Sequence, residues 1–144
     1  MSIGSSSTAP NAGLSRRLTS LIYECLILAA VLLAGTLPAV MLTRTWEPST
    51  ARLTLQLWLI ILCSCFYVWQ WAGVGQTLPM KTWKLRLVAK NGTRVSRPRA
   101  LLRYAAVLVS VATLGLGYLW ALVDRDGLFL HDRLAGTRLV MHAE

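Results

Sequence analysis

Three stretches of the chain, residues 18–40, 53–72 and 101–123, are each apolar over about 20 residues or more and nearly free of charge. At a rise of about 1.5 Å per residue, each is long enough as a helix to cross a hydrocarbon core of about 30 Å. A small soluble domain has nowhere to hide such runs. Of the 144 residues, 55% are hydrophobic and 15% charged, with a mean hydropathy of +0.52, against roughly 45–50% and about 25% in soluble domains. A soluble globule of this composition would expose large apolar patches, so a bilayer is the expected solvent. The apolar, sparsely charged composition excludes a mostly disordered chain, and three cysteines in non-framework positions exclude a disulfide scaffold. The expected fold is an all-α integral membrane protein with three hydrophobic helices.

The net charge of +9 raises the question of nucleic acid, because phosphate neutralisation needs clustered Lys and Arg. Its distribution answers in favour of a membrane surface. Between Gln76 and Arg103 lie eight cations (Lys81, Lys84, Arg86, Lys90, Arg94, Arg97, Arg99 and Arg103) and no carboxylate. A basic loop between apolar runs is the mark of the cytoplasmic side, where anionic headgroups attract Lys and Arg. The expected partners are the lipid bilayer and its anionic headgroups, with no nucleic acid.

Residues 1–15 are rich in Ser, Gly and Ala and without periodicity, which predicts a disordered tail ahead of a membrane domain over 16–144. The first apolar run follows Arg16-Arg17 and has Glu24 as its only charge, so it is a retained signal-anchor rather than a cleavable signal peptide. The second ends in Phe66, Tyr67, Trp69 and Trp71, where Trp69 and Trp71 are expected to mark one membrane surface and Trp46 and Trp58 the other. The third contains Leu114-Gly115-Leu116-Gly117 past its middle. It can span once, or break there and re-enter, returning the tail to its starting side. A single span divides Lys and Arg 10 inside to 5 outside, and re-entry 13 to 2; both obey the charge rule.

Within the basic loop, residues 84–90 mostly alternate polar and apolar, and Asn91-Gly92 is a strong two-residue turn signal. These features predict a small cytoplasmic β-hairpin over about 84–96, with residues 93–96 as its returning strand. Its cations Lys81, Lys84, Arg86, Lys90 and Arg94 would face lipid phosphates or a partner.

The order of these features resembles the RDD family of small bacterial membrane proteins. The family pattern opens on an Arg with an Asp seven residues later, matched by Arg17 and, with Glu for Asp, by Glu24. It continues with Gly75-Gln76-Thr77-Leu78, a basic strand over 84–88, Gly92, Arg103, and His131-Asp132-Arg133-Leu134-Ala135-Gly136-Thr137. Pro79 stands where the family usually has Gly, which stiffens the turn into the strand. The resemblance implies a bacterial membrane protein and, for some members, transport such as cation/proton exchange; the charge distribution places the N-terminus and the basic loop on the cytoplasmic side, as expected in the inner membrane.

Glu24 is the residue most in need of explanation, because an unpartnered charge at mid-bilayer costs roughly 2.5–3.5 kcal/mol on insertion scales. Arg17 shares its helix stripe but lies about 10 Å away along the axis. Arg103, from another helix, is the better expected partner. Two readings stay open: a proton or cation relay, and a structural ion pair that sets helix register. Asp132 can cap a short helix over 132–136, or join Arg17 and Glu24 if the tail lies on their side. Gln56, Cys63, Tyr67 and Gln70 form one polar stripe, and Arg103, Ala106, Ser110, Thr113 and Gly117 form a close-packing stripe. No metal-ligand spacing, phosphate loop, nucleophilic triad or dinucleotide fingerprint is present, so no catalytic residue, metal or cofactor is expected, nor enzymatic activity. Two functions follow: a transporter or transporter subunit, working as a homo-oligomer or with a larger membrane partner, and a membrane-anchored protein that binds anionic lipid or a partner through its basic loop.

Overall fold

A computed structural model describes residues 11–141 of the chain. The fold is mostly helical, with a two-stranded antiparallel sheet. In chain order the elements are α1 (Leu14–Thr43), α2 (Pro48–Gly73), α3 (Leu78–Thr82), β1 (Leu85–Ala89), α4 (Arg97–Ala112), α5 (Leu116–Leu119) with a 3-10 turn (Trp120–Leu122), α6 (Leu130–Ala135) and β2 (Thr137–Met141). Two helices, α1 and the run through α2, are long and apolar enough to cross a membrane, and α4 with α5 supplies a third candidate bent by 107°.

Both long helices overrun the expected segments by a turn or more at one end or both, because their flanks are compatible with helix. Pro48 occupies the first turn of α2, where a missing N–H costs nothing. Pro38 inside α1 removes one donor but leaves the helix continuous. The two helices meet at Gly35, where an added Cβ would run into Leu62, and the Trp58 indole N–H donates to the Gly35 carbonyl at 3.1 Å. At that end Leu33, Leu37, Met41 and Leu42 stay exposed, as lipid contact requires.

The third segment breaks where the glycines stand. Leu114 (φ 57°) and Gly115 (φ 84°) take successive left-handed conformations, and the Gly115 N–H donates back to the Ser110 carbonyl at 2.8 Å. The Leu114 conformation is uncommon for a residue with a Cβ. After the bend, α5 packs on α4 at Gly117, where any Cβ would overlap the Ser110 side chain. The small-residue stripe thus closes the chain on itself.

The expected basic hairpin is corrected. β1 forms, with Leu85, Leu87 and Ala89 buried on one face, but its partner is the C-terminal β2, in the register Leu87↔Leu139 and Ala89↔Thr137. The turn at Asn91-Gly92 exists: Gly92 has φ 81° and its N–H donates to the Ala89 carbonyl, while the Asn91 carboxamide oxygen accepts from the Thr93 hydroxyl at 2.7 Å. A type I′ turn needs positive φ at both central residues, and Asn91 does not have it. The chain therefore leaves the strand after Ala89, turns, and enters α4 at Arg97 without a returning strand.

The expected N-terminal tail is also shortened. Residues 1–10 lie outside the described residues, but Asn11 bridges to Val140, the Ala12 N–H donates to the Leu139 carbonyl at 3.0 Å, and α1 starts at Leu14. A free carbonyl on the open edge of β2, that of Leu139, accepts from this segment and holds it. Ala12, Trp71, Met80, Leu85, Leu87, Val95, Ala100, Tyr104 and Leu139 make one apolar core, all at the sheet end of the helices.

Candidate functional site

Of the four charged residues singled out in the sequence, Arg103 and Asp132 meet beneath this sheet end, while Glu24 shares a cavity with Arg103 and Arg17 lies over Phe129. Arg103 is the seventh residue of α4, about 9 Å along the helix from its start. α6 brings Asp132 against it, with Arg103 Nη2 at 3.0 Å from Asp132 Oδ1 and side chains 4% and 0% exposed. The Thr137 hydroxyl, at the start of β2, donates to the same carboxylate oxygen at 3.2 Å. The α6 cap is Phe129 with no side-chain bond, so the capping role expected of Asp132 is corrected: its carboxylate faces Arg103. Burial pushes the Asp132 carboxyl upward, while Arg103, the Thr137 hydroxyl and Arg17 pull it down.

Aromatic rings complete the surroundings. The Arg103 guanidinium lies 4.6 Å from the centre of the Trp71 ring, and that of Arg17 lies 5.1 Å from the Phe129 ring. Such contacts favour a desolvated cation. Of the two tryptophans expected at one surface, Trp69 is 75% exposed and Trp71 only 4%: Trp71 packs inward as the platform for Arg103. His131, given no role by spacing, stacks on Phe129 and meets Tyr118 edge-on. Its Nε2 is 4.0 Å from Asp132, too far for a hydrogen bond.

Burial, and secondarily Arg103, pushes the His131 ring down to about 2. The unfolded chain binds a proton there below about pH 6.5 and the folded protein does not. Stability therefore falls as pH drops below about 6.5, by up to about 1.4 kcal/mol per unit, and this loss is absent above that pH. The unfolding temperature is expected to fall between pH 7 and pH 5, and His131→Gln to flatten that slope. An unchanged slope in the variant would place the acid sensitivity elsewhere.

Glu24 sits nearly three turns inside α1, and the partner expected for it is corrected. The Thr77 hydroxyl donates to Glu24 Oε1 at 2.6 Å, and among the described residues no cation lies within ion-pair reach of this carboxyl. Arg103 is taken by Asp132. Thr77 is held for the task as the N-cap of α3, where it also accepts from the Met80 N–H. Glu24 and Arg103 nevertheless line one cavity of about 250 Å³, together with Tyr67, Trp71, Tyr118 and His131.

A second cavity, of about 210 Å³, lies on the sheet side and is lined by Lys90, Asp126, Asp132, Arg133 and Arg138. Arg103 lines the first cavity and Asp132 the second, so the ion pair joins a residue of each lining. Arg133 clasps Asp124 and Asp126, at 3.0 Å for the latter, and holds the Asp124 carboxyl well below the usual range. A further concavity of about 740 Å³ is lined by residues that include Trp69 and Arg97 and by none of the four charged residues. Of the basic-loop residues, Lys81, Lys84, Lys90 and Arg94 are exposed and Arg86 half-buried.

The family model described as RDD family matches residues 11–136. No curated protein and no solved structure matches the chain.

Proposed function

This chain belongs to the RDD family, and from that membership and the cluster around Arg103 we propose that it is a bacterial inner-membrane transporter, or transporter subunit, in which Glu24 carries a proton or cation. One observation carries the reading: the Glu24 carboxyl is held by an uncharged hydroxyl, Thr77, and opens on a cavity it shares with Arg103. A carboxyl neutralised by a salt bridge is a poor carrier, whereas one bound by a single neutral donor can gain and lose a proton without breaking an ion pair. Arg17, Arg103 and Asp132 act as electrostatic supports. The N-terminus and basic loop lie in the cytoplasm, where Lys and Arg concentrate, and the small number of helices requires a homo-oligomer or a larger partner to enclose a path.

Proton flux in proteoliposomes tests the assignment. Glu24→Gln, which keeps the Thr77 hydrogen bond but cannot ionise, is expected to lower flux at least tenfold, and Glu24→Asp to retain part of it. Flux equal to wild type in Glu24→Gln would overturn it. The second reading, an anchored protein that meets anionic lipid through Lys81, Lys84, Arg86, Lys90 and Arg94, draws support from the surface exposure of four of these five, and would gain from that result.

A further inference from the structure

Arg103 uses only one of its three guanidinium nitrogens on Asp132. Among the described residues, its Nε and Nη1 are buried without an acceptor, as is the indole Nε1 of Trp71, whose ring stacks on the same guanidinium. A buried charged donor without an acceptor is costly, and native structures rarely leave one so. All three donors belong to residues lining the 250 Å³ cavity, and much of the remaining wall is apolar, with Leu28, Val107 and Val111. The cavity wall therefore holds a guanidinium and an indole whose free donors are closed off from solvent, beside apolar side chains.

We propose that this cavity binds a small organic monoanion, its carboxylate taking the free donors of Arg103 and Trp71 and its short apolar body lying against Val107 and Val111. The charge balance selects a monoanion. Arg17 and Arg103 against Asp132 leave one positive charge whenever Glu24 holds a proton, and one anionic charge cancels it; a dianion would leave the site negative. The volume, equal to about eight waters, suits a ligand well below drug size. The inference rests on the proposed role of Glu24 for its charge balance and names the ligand class that would move with the proton.

Binding is read by calorimetry on the purified full chain in detergent, with benzoate and butyrate as probes, benzyl alcohol as the uncharged match and sulfate as the dianion. Saturable binding of the two carboxylates, with weak or no binding of the alcohol and sulfate, is expected. Trp71→Phe keeps a ring over Arg103 and removes one donor, so it should weaken benzoate about tenfold or more; Val107→Phe fills the cavity and should abolish binding while leaving every charge in place. Dodecanoate separates the sources of such an anion. Tighter binding than butyrate assigns it to the bilayer, and equal or weaker binding to the aqueous phase. No binding of either short carboxylate to the folded protein, or equal binding of benzyl alcohol, overturns the proposal. Because binding is measured without flux, loss of the site and loss of Glu24-dependent transport are separate results.

Discussion

Arg103→Leu is expected to destabilise the protein by about 3–5 kcal/mol, the cost of leaving one member of a buried pair without the other. Asp132 is fully buried, and after the substitution its carboxylate would keep only the Thr137 hydroxyl, at 3.2 Å. Water cannot easily make up the loss. The double variant Arg103→Leu/Asp132→Leu removes both charges and is expected to recover much of the stability, because a desolvated pair and an apolar pair of similar size are often near balance. Arg103→Lys should fall between, since a point charge on a flexible stem neither stacks flat on Trp71 nor reproduces the guanidinium fork. Thermal unfolding in detergent measures all three. If the single variant were as stable as wild type, or the double variant no better than the single, the pair would not hold α4 to α6.

The second large effect belongs to a residue without charge. Phe129 is 1% exposed and sits under the Arg17 guanidinium, stacked on His131 and edge-on to Tyr118 at 5.3 Å. Phe129→Ala is expected to cost about 3–5 kcal/mol through lost burial and the cavity left behind. It should also loosen Arg17, whose Nε has no hydrogen-bond partner among the described residues. A double-mutant cycle with Arg17→Met isolates that contact, with a coupling of about 0.5–2 kcal/mol for a desolvated cation over a ring. Phe129→Leu keeps the volume and should cost less than the alanine. Denaturant unfolding that leaves Phe129→Ala near wild type would remove the ring from the foundation of the site.

Neither Phe129 nor Trp71 was legible as part of this cluster. An aromatic residue after a polar turn, or at the end of an apolar run, is ordinary for a membrane surface, and nothing local says which way the ring turns. Trp69 and Trp71, two residues apart on a helix, necessarily face different directions, and only packing against α4 decides that Trp71 is the inner one. The basic hairpin expected over 84–96 fails to form for a related reason. Asn91-Gly92 is a true local turn signal, but the returning residues 93–96 carry one apolar side chain, Val95, and run into Pro98. β2 offers Leu139 and Val140 and comes from about 50 residues further on, a pairing with no local signature.

Hydrophobic run length and charge placement determined that the chain is a membrane protein, that its long helices fall near residues 18–40 and 53–72, and that Glu24 needs a partner, while the family resemblance added Asp132. Partition into a bilayer sums residue by residue, so composition along the chain is enough to read it. The tertiary structure decided who meets whom. The bend at Leu114-Gly115 turns the chain back and brings Asp132 to Arg103, leaving Glu24 to Thr77, 53 residues away. Which buried polar group finds which partner depends on where distant segments cross, because a hydrogen bond or ion pair acts over about 3 Å and carries no trace in the spacing of either residue.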